Sequence, residues 1–196
     1  MAQILAIDKT RPIKNERYLI DTNVWFWFTY VASKQIILPN HPSQYQIKEY
    51  PLFIESLLRE EAILCHTSLT LTELANVIEN TEFELYKSKE NHKYLSKKDF
   101  RKLPAERGRV LKEIHTAWET IDQISKCISC MVNREFIGKS YKIMESATVD
   151  PFDALYLQIM DINQIDYVVS DNIDYSYVSK NILLTANTKA LNGKCN

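Results

Sequence analysis

A chain of 196 residues, 45% hydrophobic and 25% charged, is long enough to bury one full core with room for a sizeable insertion. No apolar run reaches membrane-spanning length. The Ile4–Ile7 run is too short for a signal-peptide core, and no small-residue cleavage site follows it, so the expected location is cytoplasmic. Of the four cysteines, only Cys127 and Cys130 form a C-x-x-C. Reduced thiols fit this pattern better than a disulfide framework, and zinc would need a second ligand pair. The net charge of −1 conceals a partition. Residues 86–112 carry +7 and the remainder −8, and seven acids but no Lys or Arg lie between Lys142 and Lys180.

In chain order, residues 1–16 read as an N-terminal extension or edge strand that the sequence does not decide between. Arg17–Ile20 is predicted as a buried strand, and a helix follows from about Asn23. Pro39-Asn40-His41-Pro42-Ser43 marks a loop. Residues 45–58 then have helical periodicity, with Pro51 expected to force a start or a kink. Ala62–Cys65 is the second strand, and Thr67–Glu73 opens the next helix. The basic segment 86–112 reads as an exposed helical excursion or a mobile arm.

From Ala105 a long helix presents Val110, Ile114, Ala117, Ile121, Ile124 and Ile128 on one face. Cys130–Val132 reads as its end or as a short strand. Gly138 is expected to break the pattern before a helix over Tyr141–Ala147. Asp150-Pro151 suits the cap and first position of a further helix. Tyr167–Val169 and Ile182–Leu184 complete the strands. Strands alternating with helices predict an α/β fold with a parallel sheet covered on both faces, over a single domain 1–196 in which 82–147 is an enlarged basic, helical region.

Four acids share one topological position. Asp21 and Asp171 follow strands, and Glu73 and Asp153 open helices, so all four are expected at the carboxyl edge of the sheet, with Asp174 and Asp150 near them. Clustered carboxylates repel unless a cation lies between them, and hard oxygen ligands select Mg²⁺ or Mn²⁺, which activate water and clamp a phosphodiester. The basic segment, with Lys87, Lys89, Lys93, Lys97, Lys98, Arg101, Lys102, Arg107 and Arg109, would then grip a nucleic-acid polyanion that the acids alone repel. Tyr86, Tyr94 and Phe100 would offer rings to unpaired bases.

The simpler reading for each acid is a helix cap, and for Glu73 the far half of a capping box with Thr70. That reading suffices for Asp150. It does not explain an acid after each of two buried strands. Trp25, Phe26, Trp27 and Phe28 cannot all face inward on one helix, which raises a homodimer contact.

The stretches Leu19-Ile20-Asp21-Thr22-Asn23-Val24, Ser68–Leu74, Asp150–Leu155 and Val168–Tyr175, in this order, resemble the PIN-domain nucleases. The resemblance covers residues 17–80 and 148–185. It implies a three-layer α/β/α sandwich and metal-ligating acids at Asp21, Glu73, Asp153 and Asp171, with Asp174 as a frequent addition. Thr22, Asn23 and Ser170 match supporting positions. The implied activity is Mg²⁺- or Mn²⁺-dependent cleavage of RNA. Small bacterial members are typically VapC-type toxins held by an antitoxin protein and often dimeric. The alternatives are a non-catalytic binding module of the same fold and an RNA-processing or defence nuclease. A haloacid-dehalogenase-type phosphatase would need an acid two positions after Asp21, where Asn23 stands.

Overall fold

The computed structural model describes residues 2–34, 42–90, 94–177 and 181–193, residue 90 by its backbone alone. The expected loop at Pro39–His41, Lys93 and Cys195 lie outside the described residues. The strands are β1 (Gln3–Ala6), β2 (Arg17–Ile20), β3 (Ile63–Thr67), β4 (Lys126–Ile128), β5 (Tyr167–Val169) and β6 (Ile182–Thr185). The helices are α1 (Thr22–Thr29), α2 (Gln44–Arg59), α3 (Thr70–Glu90), α4 (Lys97–Phe100), α5 (Pro104–Ile124), α6 (Arg134–Ser146), α7 (Pro151–Asn163) and α8 (Thr188–Leu191). All strand pairs are parallel, in the order β1-β6-β5-β2-β3-β4.

The sheet is buried on both faces because alternate residues of its strands are apolar in both directions. Tyr18, Ile20, Leu64, Val169 and Leu184 pack with α1, α2, α3 and α5. Leu19, Cys65, Val168 and Leu183 pack with α7, where Ile143 of α6 joins them. The result is the three-layer α/β/α sandwich. The first apolar piece of the chain is not a free extension, since β1 pairs with β6 at the edge of the sheet. The chain runs from β2 out to β3 and β4, then returns to β5 on the other side of β2. The reversal leaves a crevice beyond the carboxyl ends of β2 and β5, where open α/β sheets place ligands.

Several elements differ from their sequence expectations. The start of α2 is set by a capping box between Ser43 and Gln46, and the helix continues through Pro51. α5 stops at Ile124, where Ser125 donates to the Ile121 carbonyl. Ile128, expected on the helix, lies in β4 paired with Thr67. α6 runs through Gly138, where an added Cβ would meet nothing within 4 Å, so no close packing calls for a break there. The aromatic run on α1 is absorbed within the chain. Trp25, Phe26 and Trp27 are buried and Phe28 is half-buried, because α2, α3 and α5 all pack around this helix. These rings therefore do not form an open dimer surface.

Candidate active site

Asp21 is the first residue after β2, and its backbone N–H continues the sheet by donating to the Val169 carbonyl. Its side chain makes no cap bond to α1. It is buried instead, and accepts from Ser170 Oγ, at the end of β5, at 2.6 Å. Burial pushes the carboxyl up to about 7, with Glu73 adding to the rise, while the Ser170 bond and the first amides of α1 pull the other way.

Glu73 arrives from the first turn of α3. Thr22 Oγ1 donates to its Oε2 at 2.5 Å and Tyr156 OH donates to the same oxygen at 3.1 Å. Its side chain is thus turned into the crevice, away from a capping box with Thr70, whose hydroxyl accepts from the Thr67 N–H. Asp153 arrives from the first turn of α7. Asn172 Nδ2 donates to its Oδ2 at 2.6 Å. Burial pushes Asp153 up to about 8, reinforced by Asp21 and Asp150. Asp150 is the cap of α7 and accepts from the N–H groups of Phe152 and Asp153.

Asp171 faces elsewhere. Tyr45 OH, Gln46 Nε2 and Tyr50 OH, all on α2, donate to its carboxylate at 3.1, 2.6 and 2.8 Å. Tyr50 is a hub, since its oxygen also meets the Ser170 carbonyl, Thr185 Oγ1 and the Ala186 N–H. Asp174 stands in a 3-10 turn over Ile173–Tyr177, where burial and Asp150 raise its pKa. With Asp150 it lines an open cleft of about 760 Å³ beside the crevice, bounded by residues 144–150 and Tyr177. Asn23 is exposed in the first turn of α1. Sequence reasoning did not single out Asn172, Tyr156 and Tyr175. The available signals were the Asn next to Asp171 and a Tyr one turn after Asp153.

The donor chemistry fits a hydrated hard cation. Asp21 is electrostatically coupled to both Glu73 and Asp153, and burial with neighbouring acids is what raises Asp21 and Asp153. Each of the three carboxylates is met by neutral donors through one oxygen. The wholly buried Tyr175 phenol faces Asp153 yet meets no hydrogen-bond partner in good geometry. Among the described residues, no three His, Cys, Asp or Glu side chains close around one point as a metal cage. Mg²⁺ does not require such a cage. It keeps several waters and takes one or two carboxylates, which matches Asp21 acting with one neighbour.

The basic segment folds against acids that precede it. Buried Glu79 holds Lys97, Arg101 and Arg107, and buried Glu82 holds Arg109, which also pairs with Glu106. Lys87 pairs with Glu84 and Lys102 with Asp99. Lys89 and Lys98 are exposed. Phe100 is buried against Phe83 and Tyr86, so it is core and not a stacking platform, whereas Tyr94 is fully exposed.

No family model and no curated protein matches the sequence. Among solved structures, the chain is similar to the crystal structure of VapBC2 from Rickettsia felis bound to a DNA fragment from their promoter. The identity is 14% and the TM-score 0.49, over 86% of this chain and 98% of that one. No residue role follows from a likeness of that degree. Among the described residues, no helix is long and apolar enough to cross a membrane.

Proposed function

We propose that this protein is a Mg²⁺- or Mn²⁺-dependent endoribonuclease. The observation that supports the proposal is the electrostatic pairing of Asp21 with Glu73 and with Asp153 at the carboxyl edge of the sheet, each carboxylate held by a neutral donor. Asp21 with Glu73 or Asp153 would hold the ion, and Asp174 extends the acidic wall toward the open cleft. A bound ion supplies Lewis-acid activation of the phosphodiester and of water. The chain's own residues orient the site. Thr22 and Tyr156 fix Glu73, Ser170 fixes Asp21, and Asn172 fixes Asp153. Asp171 acts from outside this trio by tying α2 to the end of β5. On the motif resemblance, the biological setting is the toxin of a toxin–antitoxin pair in the cytoplasm, with an antitoxin protein as partner and a second copy of the chain as a further one.

The test is incubation of purified protein with total RNA in Mg²⁺, Mn²⁺ or EDTA, followed by end mapping. The expected result is metal-dependent cleavage leaving 5′-phosphate ends, abolished by Asp21→Asn with the fold intact. Undiminished cleavage by that variant in Mg²⁺ would sink the assignment. A second reading is a non-catalytic binding module of the same fold. That reading expects RNA binding without cleavage in either metal.

A further inference from the structure

A groove of about 550 Å³ runs along α3 and α5, away from the acidic crevice. Its floor is apolar, formed by Leu71, Ala75, Leu111 and Ile114. One end begins at Thr72, the neighbour of Glu73, and the other ends at Glu79, Arg101 and Arg107.

The far end is organised in an unusual way. Glu79 has a side chain only 7% exposed and lies beneath three cations. Lys97 is used up, since its ammonium reaches Glu79, Asn76 and Asn80. Arg101 spans Glu79 with Nε at 2.7 Å and Nη2 at 2.5 Å, and Arg107 gives it Nη1 at 3.3 Å. Both guanidinium groups keep further N–H groups pointing outward, for Arg101 is 50% exposed and Arg107 43%. One buried carboxylate thus aligns two forks and leaves a local surplus of positive charge. Paired planar forks match the oxygens of a phosphate diester.

The geometry points to an anion seat at Arg101 and Arg107, oriented by Glu79, that takes a backbone phosphate of a single-stranded RNA lying in the α3–α5 groove. The identity of the strand rests on the ribonuclease reading. Charge complementarity selects the occupant: the apolar groove ends at a cluster with a surplus of positive charge, so a polyanion is held there. Glu79 is a positioning residue, separate from any that touches RNA.

The test is fluorescence anisotropy of a labelled single-stranded RNA in EDTA across a salt series. The proteins are the wild type, the double variant Arg101→Gln/Arg107→Gln, Glu79→Gln, and Lys89→Gln/Lys98→Gln as a charge-matched control, each checked for folding by circular dichroism. The arginine double variant is expected to lose about tenfold or more in affinity, with the salt slope reduced by about 2. The lysine control is expected to lose less. Glu79→Gln raises the net charge by one yet is expected to bind several-fold more weakly, because the forks lose their alignment. If Glu79→Gln does not fold, Arg101→Lys/Arg107→Lys replaces it; charge is kept and the fork removed, so affinity falls while the slope holds. Unchanged binding in the arginine double variant overturns the seat, as does tighter binding by Glu79→Gln. Capture of a leucine-bearing acidic peptide at these arginines, with no RNA binding, overturns it too. RNA binding by the wild type without Mg²⁺-dependent cleavage overturns the nuclease reading and leaves the seat standing. Cleavage that persists with binding unchanged in the double variant does the reverse.

Discussion

Replacing Asp21 by Asn should stabilise the metal-free protein at alkaline pH. The Asp21 carboxyl rises from 3.8 to about 7 on folding, chiefly because it is buried. Between those two values the folded state holds a proton that the unfolded state has released. The Asp21 contribution to stability therefore falls as pH climbs through that window and is flat above it. The full shift corresponds to about 4 kcal/mol at most. Asp153 responds in the same direction, because Asp21 is part of what raises it and the two titrate as a pair. An Asn side chain keeps an acceptor for Ser170 Oγ and removes the charge, at the lesser cost of burying an amide. The expected gain is near zero at pH 4 and about 2–4 kcal/mol at pH 8.5, measured by urea unfolding in EDTA. Cleavage is lost in the same variant, so stability and activity move in opposite directions at one residue. A gain no larger at pH 8.5 than at pH 4 would refute the argument that a buried, cation-deficient carboxylate sits at the end of β2.

Thr22→Val removes the hydroxyl that lies 2.5 Å from Glu73 and 3.0 Å from Tyr156. It should cost about 1–3 kcal/mol in urea unfolding and lower cleavage without changing RNA affinity in EDTA. Tyr50→Phe leaves Asp171, Thr185 and the Ala186 N–H short of a shared partner, at about 1–3 kcal/mol; a neutral result in thermal melts would show that α2 is not latched to the end of β5 in this way. Glu82→Gln strips a buried carboxylate from Arg109, Lys34 and the Tyr30 hydroxyl. Its expected cost is about 2 kcal/mol, below that of a wholly buried pair, because Arg109 and Lys34 retain Glu106 and Glu113. Adding Mg²⁺ should raise the melting temperature of the wild type above pH 8 more than at pH 5, since only ionised carboxylates bind it, and should do nothing for Asp21→Asn.

The strand-to-acid junctions were legible from residues alone. A short apolar run that ends on Asp21 and turns into an apolar helix has one reading in a parallel sheet; β2 and β5 begin and end, and α1 begins, close to where period and polarity put them. The cap role of Asp150 was equally local, because a cap bond spans only two or three residues. Boundaries failed where a non-local partner decided them. Ile128 continues the helical period of α5 but is taken by β3.

Charge was the least legible property. Counting residues 86–112 gives a surplus of +7, and nothing in that window shows that Glu79 and Glu82, one turn apart on α3, will lie under its arginines. The same holds for Asp171, which its motif places beside Asp21 but which α2 captures from more than a hundred residues away in sequence. The sequence by itself determined which residues stand at the carboxyl edge of the sheet, because chain direction and side-chain alternation are local properties. The tertiary structure alone decided which of those acids face one another and which cations remain outward. That outcome depends on which helix packs across which, and the free energy of a charge is set by the partners and the water left around it.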